Sequence, residues 1–244
     1  MGDFLVSGYV ADEKEWPCVA SAWQERVLDG PPKLPYLHMS ELRNEKWRDS
    51  LGITHLDSQD RVDEAVRLLS HAGCLSIVAS VINRSDLASI IHSRYKRKKD
   101  IPIYLVEPDY FCFLGYSVYT VVGVHKKYPN AEKVNFVVSR KQNVTHHLHQ
   151  AHIDARNWLE DAYPQLKGMM GEIIPACMEN RLPLQCADVI CWHQQRHYAK
   201  TAHRADYKRL MRLGDIDGHT HQWELKDLWG IADRIMPLPP KTET

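Results

Sequence analysis

The chain has 244 residues, 44% apolar and 25% charged, enough to bury a core of ordinary size in one large domain or two small ones. Lysine plus arginine balances aspartate plus glutamate at 31 each, which excludes a global field steering the protein to nucleic acid or membrane, so any such binding has to come from local patches. The longest uncharged run, Tyr110 to Val124, is 15 residues, short of the roughly 20 apolar residues a membrane helix needs.

In chain order, "DFLVSGYVA" (3–11) is short and rich in β-formers and reads as a strand. A helix follows, with Asp12 and Glu15 spaced as a capping box and Trp16, Val19, Ala20, Trp23 and Val27 on one face. "DGPP" (29–32) stops it, "PYLHM" (35–39) reads as a short strand, and Ser40 stands where it can cap the next turn. Residues 58–72 form an amphipathic helix closed by Gly73. "CLSIVASVI" (74–82) is a near-continuous apolar run, a strand buried on both faces, so helices cover the sheet. Ser85 caps a helix that ends in "RYKRKKD", and Pro108 occupies the first turn of an aromatic helix over 109–125.

"KVNFVVS" (133–139) is the next strand, followed by a helix over 145–163 that buries Leu148, Ala151, Ala155, Trp158 and Ala162. "GEIIPACME" reads as an edge strand, because Pro175 removes a ladder hydrogen bond. "LPLQCADVICWHQQRHY" (182–198) is a helix, with a basic helix near 205–213 and a last one carrying Leu225, Leu228, Trp229, Ala232 and Ile235. Strands interleaved with covering helices make a single α/β domain over 1–236, in which 200–236 is a helical extension and 237–244 a disordered tail.

Six cysteines without a C-x-x-C pair, mostly inside apolar runs, read as reduced, buried thiols of a cytosolic protein. No P-loop, G-x-G-x-x-G or G-x-S-x-G is present. Of the 14 histidines, His193 and His197 share a helix face, as do His149 and His152. Neither pair has matching partners at zinc-finger spacing, so both read as solvated polar faces. Arg196, Lys200, Arg204, Lys208 and Arg212 recur every four residues. On an unbroken helix they make one slowly turning stripe, suited to nucleic-acid phosphates.

Asp188 sits among Leu184, Cys191 and Trp192 on the 182–198 helix. A carboxylate in apolar surroundings has to find a partner, a metal or a proton. "FLVSGYVADEKEW", "YLHMSEL", "KVNFVVSRKQ" and "LQCADVICW", in that order, resemble segments of the family called domain of unknown function 3800. The resemblance covers most of residues 3–200 and is most specific at Leu184 to Asp188. It implies a ribonuclease-H-like fold, a mixed central sheet covered by helices with extra C-terminal helices, and kinship with metal-dependent nucleases of mobile-element and defence systems.

In such enzymes carboxylates from the first strand, a later strand and a C-terminal helix converge on divalent ions. The resemblance makes Asp188 the helix contribution and metal ligand, Gln185 the residue that orients it, and His38 of "YLHMSEL" a further catalytic candidate. The family's acidic first strand has no counterpart before Phe4, and Ser139 stands where the later strand carries Asp. Of three expected carboxylates one remains, and holding two ions would need help from Glu107, Asp109 or Glu172.

The expectation is a catalytically degenerate or N-terminally truncated relative that binds nucleic acid. An absent central strand leaves neighbouring edges unpaired, which favours a homodimer across them. The alternatives are an active nuclease using Mg²⁺ or Mn²⁺, and a structural or protein-interaction domain. A third reading of Asp188 makes it structural, hydrogen-bonded to a backbone amide or to a nearby Arg or His.

Overall fold

A computed structural model describes residues 2–95, 101, 103–140, 144–200, 210, 219–224, 226 and 230. The strand expected at the N-terminus is β1 (Asp3–Val10). It pairs antiparallel along its whole length with β2 (Ser76–Asn83), from Asp3 opposite Asn83 to Val10 opposite Ser76. The apolar composition of β2 matches its surroundings: every residue but Asn83 is buried. Its other edge pairs parallel with β5 (His219–Gln222). Among the described residues a second sheet holds β3 (Val134–Ser139) and β4 (Met170–Ala176), which are parallel, and Pro175 lies on β4 as an edge strand should.

Side chains alternate across a strand, and here they feed two cores. Phe4, Val6 and Val10 of β1, with Ile82 of β2, pack against α5 (Arg84–Arg94), α6 (Pro108–Lys127) and α7 (Val144–Ala162). Tyr9 and Ile77 point the other way. They meet α1 (Trp16–Trp23), α2 (Met39–Leu42), α4 (His55–His71) and α8 (Leu182–Tyr198). The result is a sheet layer between two helical layers. Helix α6 is nearly all apolar because it is buried almost all round. No helix among the described residues is long and apolar enough to cross a membrane.

Two expectations change. The single mixed sheet is replaced by two, because among the described residues no strand joins β1 to β3, although both pack against α6 and α8. The region read as a helical extension contributes a strand, β5, fixed by Trp223 just beyond it. The Trp223 indole is buried and donates to Ser80 Oγ at 2.9 Å.

The helix starts differ as well. Asp12 makes no capping box: its carboxylate accepts from the Lys14 amide, and α1 begins later at Trp16. The capping box lies at α4, where Thr54 and Asp57 satisfy each other's amides. Asn83, two residues before Ser85, caps α5. A short helix, α3 (Glu45–Ser50), is capped by Asn44.

Helix α6 approaches β2 and Trp223 at Gly115. A Cβ there would lie 2.6 Å from the Trp223 ring and 2.8 Å from Ser80 Oγ. Both obstacles are buried and hydrogen-bonded to each other, so the added methyl overpacks the layer. Gly115→Ala should lower stability by about 1–3 kcal/mol in urea denaturation, and an unchanged midpoint would show that this packing is looser than the contacts indicate.

Candidate functional site

Helix α8 carries Pro183 in its first turn and buries Leu184, Gln185, Cys186, Val189, Ile190, His193 and Gln194. Gln185 is 1% exposed, and its amide ties together three parts of the fold. Its Oε1 accepts from Trp23 Nε1 of α1 at 3.1 Å and from the Leu37 amide at 3.0 Å. Its Nε2 donates to the Met178 carbonyl at 3.1 Å. Both lone pairs of the side-chain oxygen are therefore used by buried donors.

One turn later, Asp188 Oδ2 accepts the Met39 amide at 2.7 Å. Met39 is the first residue of α2. The acid expected to bind metal thus supplies from a distance the cap that a Ser or Asp usually supplies locally. The contact is short because the acceptor is charged and the donor lies at a helix start. Residues 35–38 form an extended strap along α8 rather than a paired strand, held at alternate amides by Gln185 and Asp188. Ser40 is not the cap. Its hydroxyl lies 3.4 Å from His38 Nδ1.

His38 stands between two carboxylates, with Nε2 3.9 Å from Asp188 Oδ1 and Nδ1 3.7 Å from Glu41 Oε1. Beside it, hydrogen bonding towards Glu41 pushes the Tyr36 phenol up to about 12. The structure therefore brings Asp188, Gln185 and His38 together. Their visible contacts match the structural reading of Asp188, a backbone amide and a histidine.

The acids considered as helpers of Asp188 lie elsewhere. Glu107 stands at the N-cap position of α6, where its side chain makes no capping hydrogen bond, and Asp109 follows in the first turn. With His147 of α7 they form a group whose ligand atoms all fall within 4.8 Å of one another. Asp109 is buried, and its Oδ1 lies 3.5 Å from His147 Nδ1. Two oxygens and one imidazole are a donor set that divalent ions accept. Among the described residues it is the one such trio, and Asp188 is not in it. Glu172 is exposed on β4.

The basic stripe is interrupted. Helix α8 ends at Tyr198, and Lys200 takes a left-handed backbone with φ 53°, so Arg196 and Lys200 do not continue one helical face. Arg204 and Lys208 lie outside the described residues. Arg196 packs over the Trp192 ring, 4.8 Å from its centroid, and Arg43 of the α2–α3 turn lies 5.4 Å from the same centroid. Sequence spacing offers the first contact, since residues 192 and 196 are four apart on a helix. Arg43 is far away in the chain and gives no such signal.

The histidines are not all on solvated faces. His193 and His152 are 2% and 4% exposed, while their partners His197 and His149 face solvent. Burial lowers the His152 pKa, and its Nε2 lies 2.9 Å from the Gly171 carbonyl, linking α7 to β4.

No family model, curated protein or solved structure matches the chain.

Asp188→Ala should cost about 1–3 kcal/mol in urea denaturation, because the Met39 amide loses its acceptor. Asp188→Asn keeps an oxygen there and should cost less. Gln185→Leu should cost at least as much as Asp188→Ala, since two buried donors lose theirs. Equal midpoints for all three variants and the wild type would refute the clamp.

Proposed function

We propose that the chain is a ribonuclease-H-like domain that has lost hydrolysis and binds nucleic acid. The observation that carries this reading is the engagement of Asp188. Two-metal phosphodiester hydrolysis needs several carboxylates converging on ions about 3.5–4 Å apart. Asp188 instead caps α2 and belongs to no trio of metal-type donors among the described residues. Its sequence context supports descent from such enzymes, and its contacts support a scaffold role.

Several features of the fold support the same reading. Strands lie between helical layers with α8 on the face opposite α6, although they form two sheets in place of one. Nucleic-acid binding rests on local charge, because the whole chain is neutral. Arg196 and Lys200 at the end of α8 supply part of it. Binding of this kind depends on counterion release and draws on no Mg²⁺ or Mn²⁺ held by the protein.

The test uses labelled single- and double-stranded RNA and DNA. With 5 mM Mg²⁺ or Mn²⁺ added, no strand should be cut; without divalent ions, the logarithm of the affinity should fall linearly with the logarithm of salt concentration, by about one decade per decade for each phosphate neutralised. Metal-dependent cleavage that Asp188→Ala abolishes would overturn the loss of hydrolysis. Absence of binding at low salt would overturn the nucleic-acid assignment.

A further inference from the structure

Pro108 sets the geometry at the start of α6. A proline restricts the residue before it to extended backbone, and Glu107 accordingly has φ −96° and ψ 120°. On a regular helix, side chains two residues apart do not face each other. The extended backbone at Glu107 departs from that rule and lets its carboxylate stand beside that of Asp109. Helix α7 supplies the third member, His147. One ligand atom from each of the three lies within 4.8 Å of the other two.

The Asp109 side chain is 10% exposed, and a carboxylate so buried needs its charge compensated. Its Oδ1 accepts from the Tyr110 amide at 2.9 Å, a neutral donor. Among the described residues its ion-pair partner is His147, not a lysine or arginine. Glu107 adds a second negative charge at the same place, which raises the electrostatic cost. Its carboxylate makes no capping hydrogen bond, the usual role of an acid at that position. The third observation is independent of the acids. His147 Nδ1 is sealed from solvent and has no hydrogen-bond partner. Buried polar atoms are normally hydrogen-bonded. This one instead lies 3.5 Å from Asp109 Oδ1, beyond a good hydrogen bond.

A cation bound by these three atoms accounts for the exposed lone pair of the ring and for both charges. At bonds of about 2.1 Å, a tetrahedral ion holds its ligands about 3.4 Å apart. The His147 Nδ1 to Asp109 Oδ1 separation, 3.5 Å, is close to that edge. Rotation of the half-buried Glu107 side chain, which no capping bond holds, closes the wider gap. The imidazole selects among ions. Mg²⁺ and Ca²⁺ favour sets made of oxygen alone, whereas Zn²⁺ takes nitrogen and oxygen together.

We infer that Glu107, Asp109 and His147 form a Zn²⁺ site that pins the start of α7 to the start of α6, with water in the fourth position. Helices α6 and α7 lie on the side of the sheet layer opposite α8. The site is therefore separate from Asp188, and it stands or falls independently of the nucleic-acid reading.

The chain has 14 histidines and six cysteines, so the experiment has to distinguish this site from adventitious Zn²⁺. Chelator-treated protein is titrated with Zn²⁺ in a calorimeter, with and without an excess of Mg²⁺. Wild type is compared with Glu107→Gln, Asp109→Asn and His147→Gln, and with His146→Gln, the exposed neighbour. Each variant is checked for native circular dichroism. Glu107 is only half-buried, so its variant keeps the test open even where Asp109→Asn fails to fold.

The expected result is one tight Zn²⁺ per chain that Mg²⁺ does not displace. Each ligand variant should weaken it by about a hundredfold or more, beyond the roughly 10–100-fold that loss of a supporting residue gives, and His146→Gln by less than about threefold. Absence of a tight site would overturn the proposal. So would a smaller loss in any folded ligand variant, or an equal loss in His146→Gln. Displacement by Mg²⁺ would overturn the assignment to Zn²⁺.

Discussion

Two side chains one turn apart on α8 hold the first helical layer in place. Gln185 and Asp188 take alternate amides of the strap, Leu37 and Met39, and Gln185 adds the indole of Trp23 and the carbonyl of Met178. Without these contacts the strap would carry unsatisfied amides against a helix face, at about 1–3 kcal/mol for each buried donor. Helix α2 begins where Asp188 caps it, Arg43 follows at its end, and a cleft lies between α2 and its neighbours. The position of the cleft thus depends on the clamp, although neither clamp residue is among those that line it.

The arrangement also gives the α8 carboxylate partners within the protein. An ionised acid near a core is costly unless something compensates its charge. Here compensation comes from a backbone amide at a helix start, with an imidazole 3.9 Å away on the other oxygen. A residue type suited to metal binding is equally suited to capping. The surroundings decide between the two roles.

Most of the fold was legible in the sequence where burial alone sets the pattern. The apolar run of β2 and the Pro175 edge strand are such cases. Helix α8 runs from Leu182 to Tyr198, the limits expected for it. Legibility failed where a partner from elsewhere intervenes. Ser40 has the chemistry of a cap, yet the acceptor comes from Asp188, 149 residues away. Strand β5 is four mostly polar residues whose membership in the sheet is a matter of backbone pairing to β2, with only Trp223 as a side-chain clue. His152 and His193 looked polar and are buried, since helical spacing shows which residues share a face and not which face turns inward. Asp188, Gln185 and His38 were found together by resemblance, whereas Arg43 was missed because no local spacing connects it to Trp192.

The separation of the clamp partners along the chain has a kinetic side. During synthesis from the N-terminus, the strap emerges about 150 residues before the acid that fixes it, and such long-range closures are slow to reward the chain. Helix α4, with its own local capping box, can form early. The start of α2 has no local equivalent and must wait for α8. A nascent chain therefore carries residues 35–39 as an unanchored segment until α8 is made, and the cleft between α2, α4 and α8 is among the last parts of the molecule to take shape.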